Sequence, residues 1–383
     1  MVRSLFTIAS LAAVLLPSAF AYPRNLPELL EKRDWRSWAD ENCPEKYQQC
    51  TPETIKTRVS YDSMSPWEQQ AYTNAVLCLM EQPSQLDPVQ YPAAVNRYLD
   101  YAVVHVNRTS QVHISGYFTT WHRYFLHLYE EDLRNTCGYW GSFPYWDFAS
   151  SSSNIDGDPI FSGSPYSMSG NGLPNNTGPI VLGPTLQIPH GSGGGCVTTG
   201  PFANMVVTLA NIDPSVLLTG APLNASVYDY NPHCLTRDLN EYVAMTWTNS
   251  TEVTDAVHSP SAAAFELALN GIIGGSSLGI HSAAHFSIGG PMDSIHVSPQ
   301  DPIWYPLHAQ IDHVYWSWQI QNPDLADTLS GTMTAVNIPP SANVTLTSIE
   351  PDWGYFDSSV IQVGELISTT SGPFCYQYDT LLG

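Results

Sequence analysis

The sequence predicts a mainly α fold, a helix bundle with long loops and a few short β-strands, on three observations. Residues 119–133 place Phe125, Leu128, Tyr129, Asp132 and Leu133 at helical spacing, around a Trp121-His122-Arg123-Tyr124-Phe125-Leu126 run. Residues 301–312 form an aromatic counterpart in which His308 and Asp312 lie one helical turn apart. His281 and His285 are four residues apart, which puts both rings on one face of a helix. Histidines set among aromatics on several helices suggest a metal site inside the bundle.

Taken in order, residues 1–21 read as a secretory signal. Arg3 gives a positive start, an apolar run follows, and Ala19-Phe20-Ala21 is a small-x-small cleavage site. Residues 22–33 read as a propeptide ending in the dibasic pair Lys32-Arg33, which leaves residues 34–383 as a single domain. Their removal takes basic residues from 13 to 9 and acidic ones from 35 to 33, so the formal charge moves from -22 to -24. Such a surface repels nucleic acid and anionic membranes, which excludes both as partners. Five sequons, at Asn107, Asn175, Asn224, Asn249 and Asn343, fit glycosylation of a secreted, extracellular protein. Of seven cysteines most are expected to pair in an oxidising compartment, with at least one left over and connectivity open.

Residues 34–60 read as irregular, tied down by Cys43 and Cys50. Ser65-Pro66-Trp67-Glu68 is a capping box with proline at the first helical position, so a helix follows through Leu79. Residues 91–106 read as a second helix with His105 at its end, and residues 107–116 as a loop holding His113. Thr119 or Thr120 caps the next helix, which puts His122 in its first turn and its end near Cys137-Gly138. Residues 149–201, rich in Ser, Gly, Asn and Pro, read as a long loop region. Its glycine run, 191–195, reads as a flexible surface excursion. Residues 260–270 form a short helix stopped by Gly271. Asp301 caps, and Pro302 begins, a long helix reaching about Gln321. Residues 343–349 and 360–367 read as β-type stretches.

Two groups stand out among the twelve histidines. His105, His113 and His122 span the end of one helix, a loop and the next helix. His281 and His285 share a helical face, and His308 offers a third corner. Imidazole suits copper, zinc, iron and nickel. A hydrolytic two-metal site usually adds bridging carboxylates. Here Asp312 is the single well-placed carboxylate, and it reads as a partner holding a ring N–H. All-imidazole ligation of neighbouring ions favours copper and oxygen chemistry. His190, His233, His258 and His296 read as ordinary core or surface residues, His127 as structural or supporting, and His313 as facing away.

At these residues the chain resembles the tyrosinase, catechol oxidase and hemocyanin family of type 3 copper proteins, over roughly residues 50–380. It is most similar to the short secreted fungal polyphenol oxidases. The resemblance rests on the Trp121–Leu126 run, the His281/His285 pair, and Asp301-Pro302-Ile303-Trp304 leading to His308 and Asp312. It implies a four-helix bundle holding two copper ions in a type 3 dinuclear centre. His105, His113 and His122 would bind the first ion, and His281, His285 and His308 the second.

The chain departs from the family pattern at several positions. Leu307 stands where a further histidine is usual, and His313 where Arg is usual. Gln111 replaces the cysteine that many relatives link to a copper ligand. Ser282 stands where strong tyrosinases have Asn, and Ser277 where plant enzymes have Glu. Cys375-Tyr376-Gln377-Tyr378 resembles the motif that closes the catalytic domain, and no C-terminal shielding domain is expected. The implied activity is that of a catechol oxidase, taking o-diphenols to o-quinones with reduction of O2 to water and with weak monophenol hydroxylation. A small phenol and O2 are the expected partners of a monomer or small oligomer. Phe286, Ser282 and the loop 289–292 are the expected walls of the substrate cleft. The alternatives are a full tyrosinase, an o-aminophenol oxidase of pigment or secondary metabolism, and a non-catalytic oxygen carrier.

Overall fold

A computed structural model describes residues 37–175, 178–182, 185–212, 216–217, 222–272 and 274–383. The expected signal and propeptide, residues 1–33, lie outside them. The described helices are α1 (Trp38–Asn42), α2 (Pro66–Glu81), α3 (Arg97–Val112), α4 (Phe118–Cys137), α5 (Glu241–Trp247), α6 (Ser250–Val257), α7 (Ala262–Asn270), α8 (Ile280–Phe286) and α9 (Trp304–Gln321). The fold is mainly helical. Short strands decorate it: β1 (Lys56–Ser60), β2 (Pro144–Tyr145), β3 (Gly172–Pro174), β4 (Ile180–Leu182), β5 (Leu186–Ile188), β6 (Gly194–Val197), β7 (Val206–Val207), β8 (His233–Cys234) and β9 (Tyr376–Tyr378).

Local chemistry sets the helix ends. Ser65 and Glu68 form a reciprocal capping box, with Pro66 opening α2. The Asn96 side chain accepts from the Leu99 N–H at 2.9 Å and starts α3. Gly138 ends α4 in the left-handed conformation at φ 66°, where an L side chain is disfavoured. Helix α9 is buried on every side down to Gln319, as befits the central helix of a core. It packs on α4 and α6. Helix α4 packs on α2 and α3, and α8 on α7 and α5. Trp121, Trp304, Trp316, Trp318 and Trp353 are fully buried around these contacts.

Several boundaries differ from the sequence reading. Helix α3 begins six residues later than expected and runs on to Val112, so His105 sits inside it and His113 is its C-cap. The tertiary core decides this, because Val106, Thr109 and Val112 all face inward. Helix α4 starts at Phe118 without a side-chain cap, so Thr119 and Thr120 are buried helical residues. Helix α9 begins at Trp304, two residues later than expected, and Asp301 leads into it: its Oδ1 accepts from the Ile303 N–H at 3.1 Å while the carboxylate also pairs with buried Arg237. The stretches around 343–349 and 360–367 form isolated bridges and a 3-10 turn at Val363–Leu366 rather than strands.

The glycine run is pinned and is no free excursion. The Asp238 carboxylate accepts from the Gly191 and Gly193 N–H groups, each at 2.9 Å. A Cβ at Gly193 would meet the Arg237 carbonyl at 2.5 Å, so the close approach requires glycine.

Three disulfides join Cys50 to Cys375, Cys78 to Cys137 and Cys196 to Cys234, and Cys43 is the odd thiol. The Cys50–Cys375 bond precedes a parallel pairing of β1 with β9, which carries the chain's last tyrosines back over the bundle. No described helix is long and apolar enough to cross a membrane.

Candidate functional site

Four helices bring six histidines to one buried place. His105 lies inside α3, His113 at its end and His122 in α4. His281 and His285 lie on α8, and His308 on α9. They form two triads, His105/His113/His122 and His281/His285/His308. Within each triad one ring nitrogen per residue lies within 4.8 Å of the others, and all six residues are buried. The triads adjoin: the His122 and His308 rings stack at 5.0 Å between centroids.

The backbone sets the orientation of most rings. His105 Nδ1 lies 2.8 Å from the His296 carbonyl, and His122 Nδ1 lies 2.7 Å from the Phe118 carbonyl one turn earlier. His113 Nδ1 meets the Thr109 carbonyl at 3.2 Å, and His285 Nδ1 the Met292 carbonyl at 3.1 Å. His281 Nδ1 meets the Asn270 side-chain oxygen at 3.0 Å. A carbonyl can only accept, so each of these five rings carries its proton on Nδ1. Their Nε2 lone pairs therefore face the centre. His308 is turned differently: its Nε2 lies 3.0 Å from His285 Nε2, and its ring stacks on Trp304 at 3.8 Å.

This donor set fits a pair of metal ions. Nε2 of His105, His122 and His281 is buried without any hydrogen-bond partner. Buried bare nitrogens in one cluster are costly unless a cation satisfies them. Burial, reinforced by the neighbouring rings, holds His105, His113, His281 and His308 well below the usual imidazole range. Burial likewise pushes His122 down to about 3 and His285 to about 4. Neutral imidazole is the form that ligates. Two all-imidazole triads suit a dinuclear copper centre.

Asp312 does not hold a histidine N–H, as the sequence had suggested. Its Oδ1 accepts from Arg123 Nε at 2.6 Å, and its Oδ2 from Arg58 at 3.2 Å and from Tyr376 and Tyr378, each at 2.6 Å. The reason is geometric: one turn past His308, the carboxylate points out of the cluster into the layer behind it. Burial opposes its charge, yet Arg123 and Arg58 hold the carboxyl below the usual range. His313 faces this outer layer, stacked on Tyr378 at 4.3 Å and bonded to the Thr380 carbonyl at 2.7 Å. His296 is buried and contributes its carbonyl rather than its ring. His127 packs beside Tyr124 and Phe374.

A pocket of about 380 Å³ opens onto His113, His281 and His285. Its walls include Phe286, Ser282 and Met292, together with Val181, Leu182, Leu186, Ile272 and Leu278. Ser282 Oγ donates to the Asn270 carbonyl at 3.1 Å. Thus Asn270 serves both His281 and Ser282, a role that no spacing in the sequence announces. Asp293, also in the wall, was equally silent. Among the sequons, Asn175, Asn224 and Asn343 are exposed, and Asn249 is half-buried as the cap of α6. Asn107 lies within α3, where its side-chain oxygen accepts from the Tyr228 hydroxyl.

Comparison with known proteins agrees with this geometry. The family described as "Tyrosinase: Common central domain of tyrosinase" matches residues 95–321, which include all six histidines. The chain is 42% identical to the oxidase hkm6 of Aspergillus hancockii, covering 73% of this chain and 99% of that protein. It is 36% identical to tyrosinase P of Aspergillus terreus, over 84% of this chain and 91% of that one. Among solved structures, a mutant polyphenol oxidase from Thermothelomyces thermophila superposes with a TM-score of 0.80 at 35% identity. That match covers 92% of this chain and 94% of the other.

Proposed function

The chain belongs to the tyrosinase family, an oxidoreductase family acting with O2, and on that premise we propose a secreted catechol oxidase that takes o-diphenols to o-quinones. His105, His113 and His122 hold one copper ion, and His281, His285 and His308 the other. When bound, the copper pair supplies the electron capacity that couples diphenol oxidation to O2 reduction. Each diphenol gives up two electrons and two protons, so a pair of diphenols reduces one O2 to two waters.

The protein's part is to bind, orient and shield. The observation that carries the reading is the junction of the two buried triads with an apolar pocket that reaches His113, His281 and His285. A flat aromatic ring fits such a space, with Phe286 in its wall. Ser282 supports diphenol oxidation over monophenol hydroxylation, because its hydroxyl proton is committed to the Asn270 carbonyl. Residues 34–383 form the mature domain, and the exposed sequons Asn175, Asn224 and Asn343 carry its glycans.

The test is oxygen uptake by the copper-loaded mature chain with catechol and then tyramine, beside a His285→Ala control. Uptake with catechol alone, abolished in the control, is the expected result. Uptake with both substrates would make the protein a full tyrosinase. Two bound coppers with no uptake on either would move the o-aminophenol oxidase and oxygen-carrier readings ahead.

A further inference from the structure

Among the described residues, the substrate pocket is lined by one ionisable side chain besides its histidines. Asp293 ends the 3-10 turn Gly290–Asp293 and stands in the wall. The turn is fixed on the metal side, since the carbonyl of the preceding residue, Met292, accepts from His285. It is fixed behind as well: Gly289 and Gly290 have φ of 73° and 65°, and a Cβ on Gly289 would meet Asp238 at 2.8 Å. The backbone of Asp293 is therefore held in place along the wall that orients His285.

One oxygen of that carboxyl is uncompensated. Its Oδ1 is closed to water and has no hydrogen-bond partner. Among the described residues no ion pair reaches it, and the pocket lining contains neither Lys nor Arg. The charge that acts on it is another carboxylate, Asp238, which is already committed to Gly191, Gly193 and His190. Burial first, and Asp238 second, push the Asp293 carboxyl upward. Around it the lining is aliphatic, from Val181, Leu182, Leu186, Ile272 and Leu278. A half-buried acid in a mostly apolar wall, with one oxygen unpartnered, lacks a cation that a ligand can bring.

We propose that Asp293 selects the substrate's tail, its carboxylate pairing with an ammonium group on a phenol whose ring lies at the histidines. This deepens the phenol-oxidase reading and rests on it. An ammonium tail draws the Asp293 carboxyl into its ionised form, so the pocket favours amine-tailed catechols over uncharged ones and over those ending in a carboxylate, which offer it no such partner.

Two measurements test it. With the copper-loaded enzyme, kcat/KM is compared for dopamine, 4-methylcatechol and 3,4-dihydroxyphenylacetate, in the wild type and in the isosteric Asp293→Asn variant. The wild type is expected to prefer dopamine over dihydroxyphenylacetate by about tenfold or more, and the variant to lose about that factor in the dopamine to 4-methylcatechol ratio. With the copper-free protein, calorimetry is expected to show phenethylamine binding more tightly than phenylacetate, and Asp293→Asn to erase the difference.

A wild type indifferent to tail charge, or a variant with unchanged ratios, overturns the role of Asp293. If the wild type oxidises none of the three catechols, the oxidase reading falls instead. The copper-free titration still decides the role of Asp293, as does the wild-type ranking should the variant fail to fold.

Discussion

Arg123 and Asp312 meet at 2.6 Å, and the bond crosses from the helix of His122 to the helix of His308. Each partner is buried, and each lies next to a ligand: Arg123 follows His122 directly, and Asp312 is one turn past His308. The pair joins the two triads from behind, outside the ligand shell. Arg58, Tyr376 and Tyr378 complete the layer.

Removing that carboxylate leaves two buried guanidinium groups without their shared anion. Asp312→Asn is expected to destabilise the protein by about 3–5 kcal/mol. Thermal melting of the copper-free variant checks this, and copper content after dialysis should fall with it. A variant melting with the wild type would show that the layer tolerates a neutral centre.

Asn270 orients His281 through one hydrogen bond of 3.0 Å. Asn270→Ala is expected to weaken copper binding by about 10–100-fold, the usual effect of removing a partner that aims a ligand ring. Titration with a copper chelator measures it. Loss should be confined to one ion per chain, because the Asn270 side chain bonds a ring of the second triad alone.

The acid sensitivity of the copper-free protein follows from its buried imidazoles. His122 and His285 are neutral in the fold down to about pH 3 and about pH 4. In the unfolded chain they take up protons below about pH 6.5. Between those limits the unfolded state binds more protons, so stability falls as pH falls. Melting curves of the copper-free chain should therefore drop from about pH 6.5 towards pH 4, and copper loading should steepen the loss by adding ligand competition with protons. A flat profile over this window would contradict neutral burial.

The Cys78–Cys137 bond ties α2 to the end of α4. Its removal by paired Ser substitutions is expected to cost about 2–4 kcal/mol, chiefly by freeing the unfolded chain. Denaturant titration reads the cost, and the copper centre, none of whose six ligands lies on α2, should still load fully at low denaturant.

Much of this site was legible in the sequence, and the physical reason is periodicity. His281 and His285 are fixed on one face by helical geometry alone. His105, His113 and His122 were found by proximity in the chain, although His113 turned out to cap a helix rather than ride a loop. Less could be read where a partner comes from afar. Asn270 meets His281 across a turn, His296 offers its carbonyl to a ring 191 residues earlier in the chain, and Asp293 carries no pattern at all. Asp312 was misassigned for the same reason. Its spacing to His308 is local, whereas the arginines that claim it are 189 and 254 residues away. The glycine run misled because composition reports flexibility of the free chain, while Asp238 holds the folded one.

The return of β9 to β1 orders events in time. Tyr376 and Tyr378, which clasp Asp312 from the last strand, leave the ribosome after every one of the six histidines. A growing chain thus displays all its imidazoles before it owns the clasp that aligns α4 with α9. Copper met during synthesis would find donors without their final spacing. Copper is therefore expected to load after β9 has paired with β1.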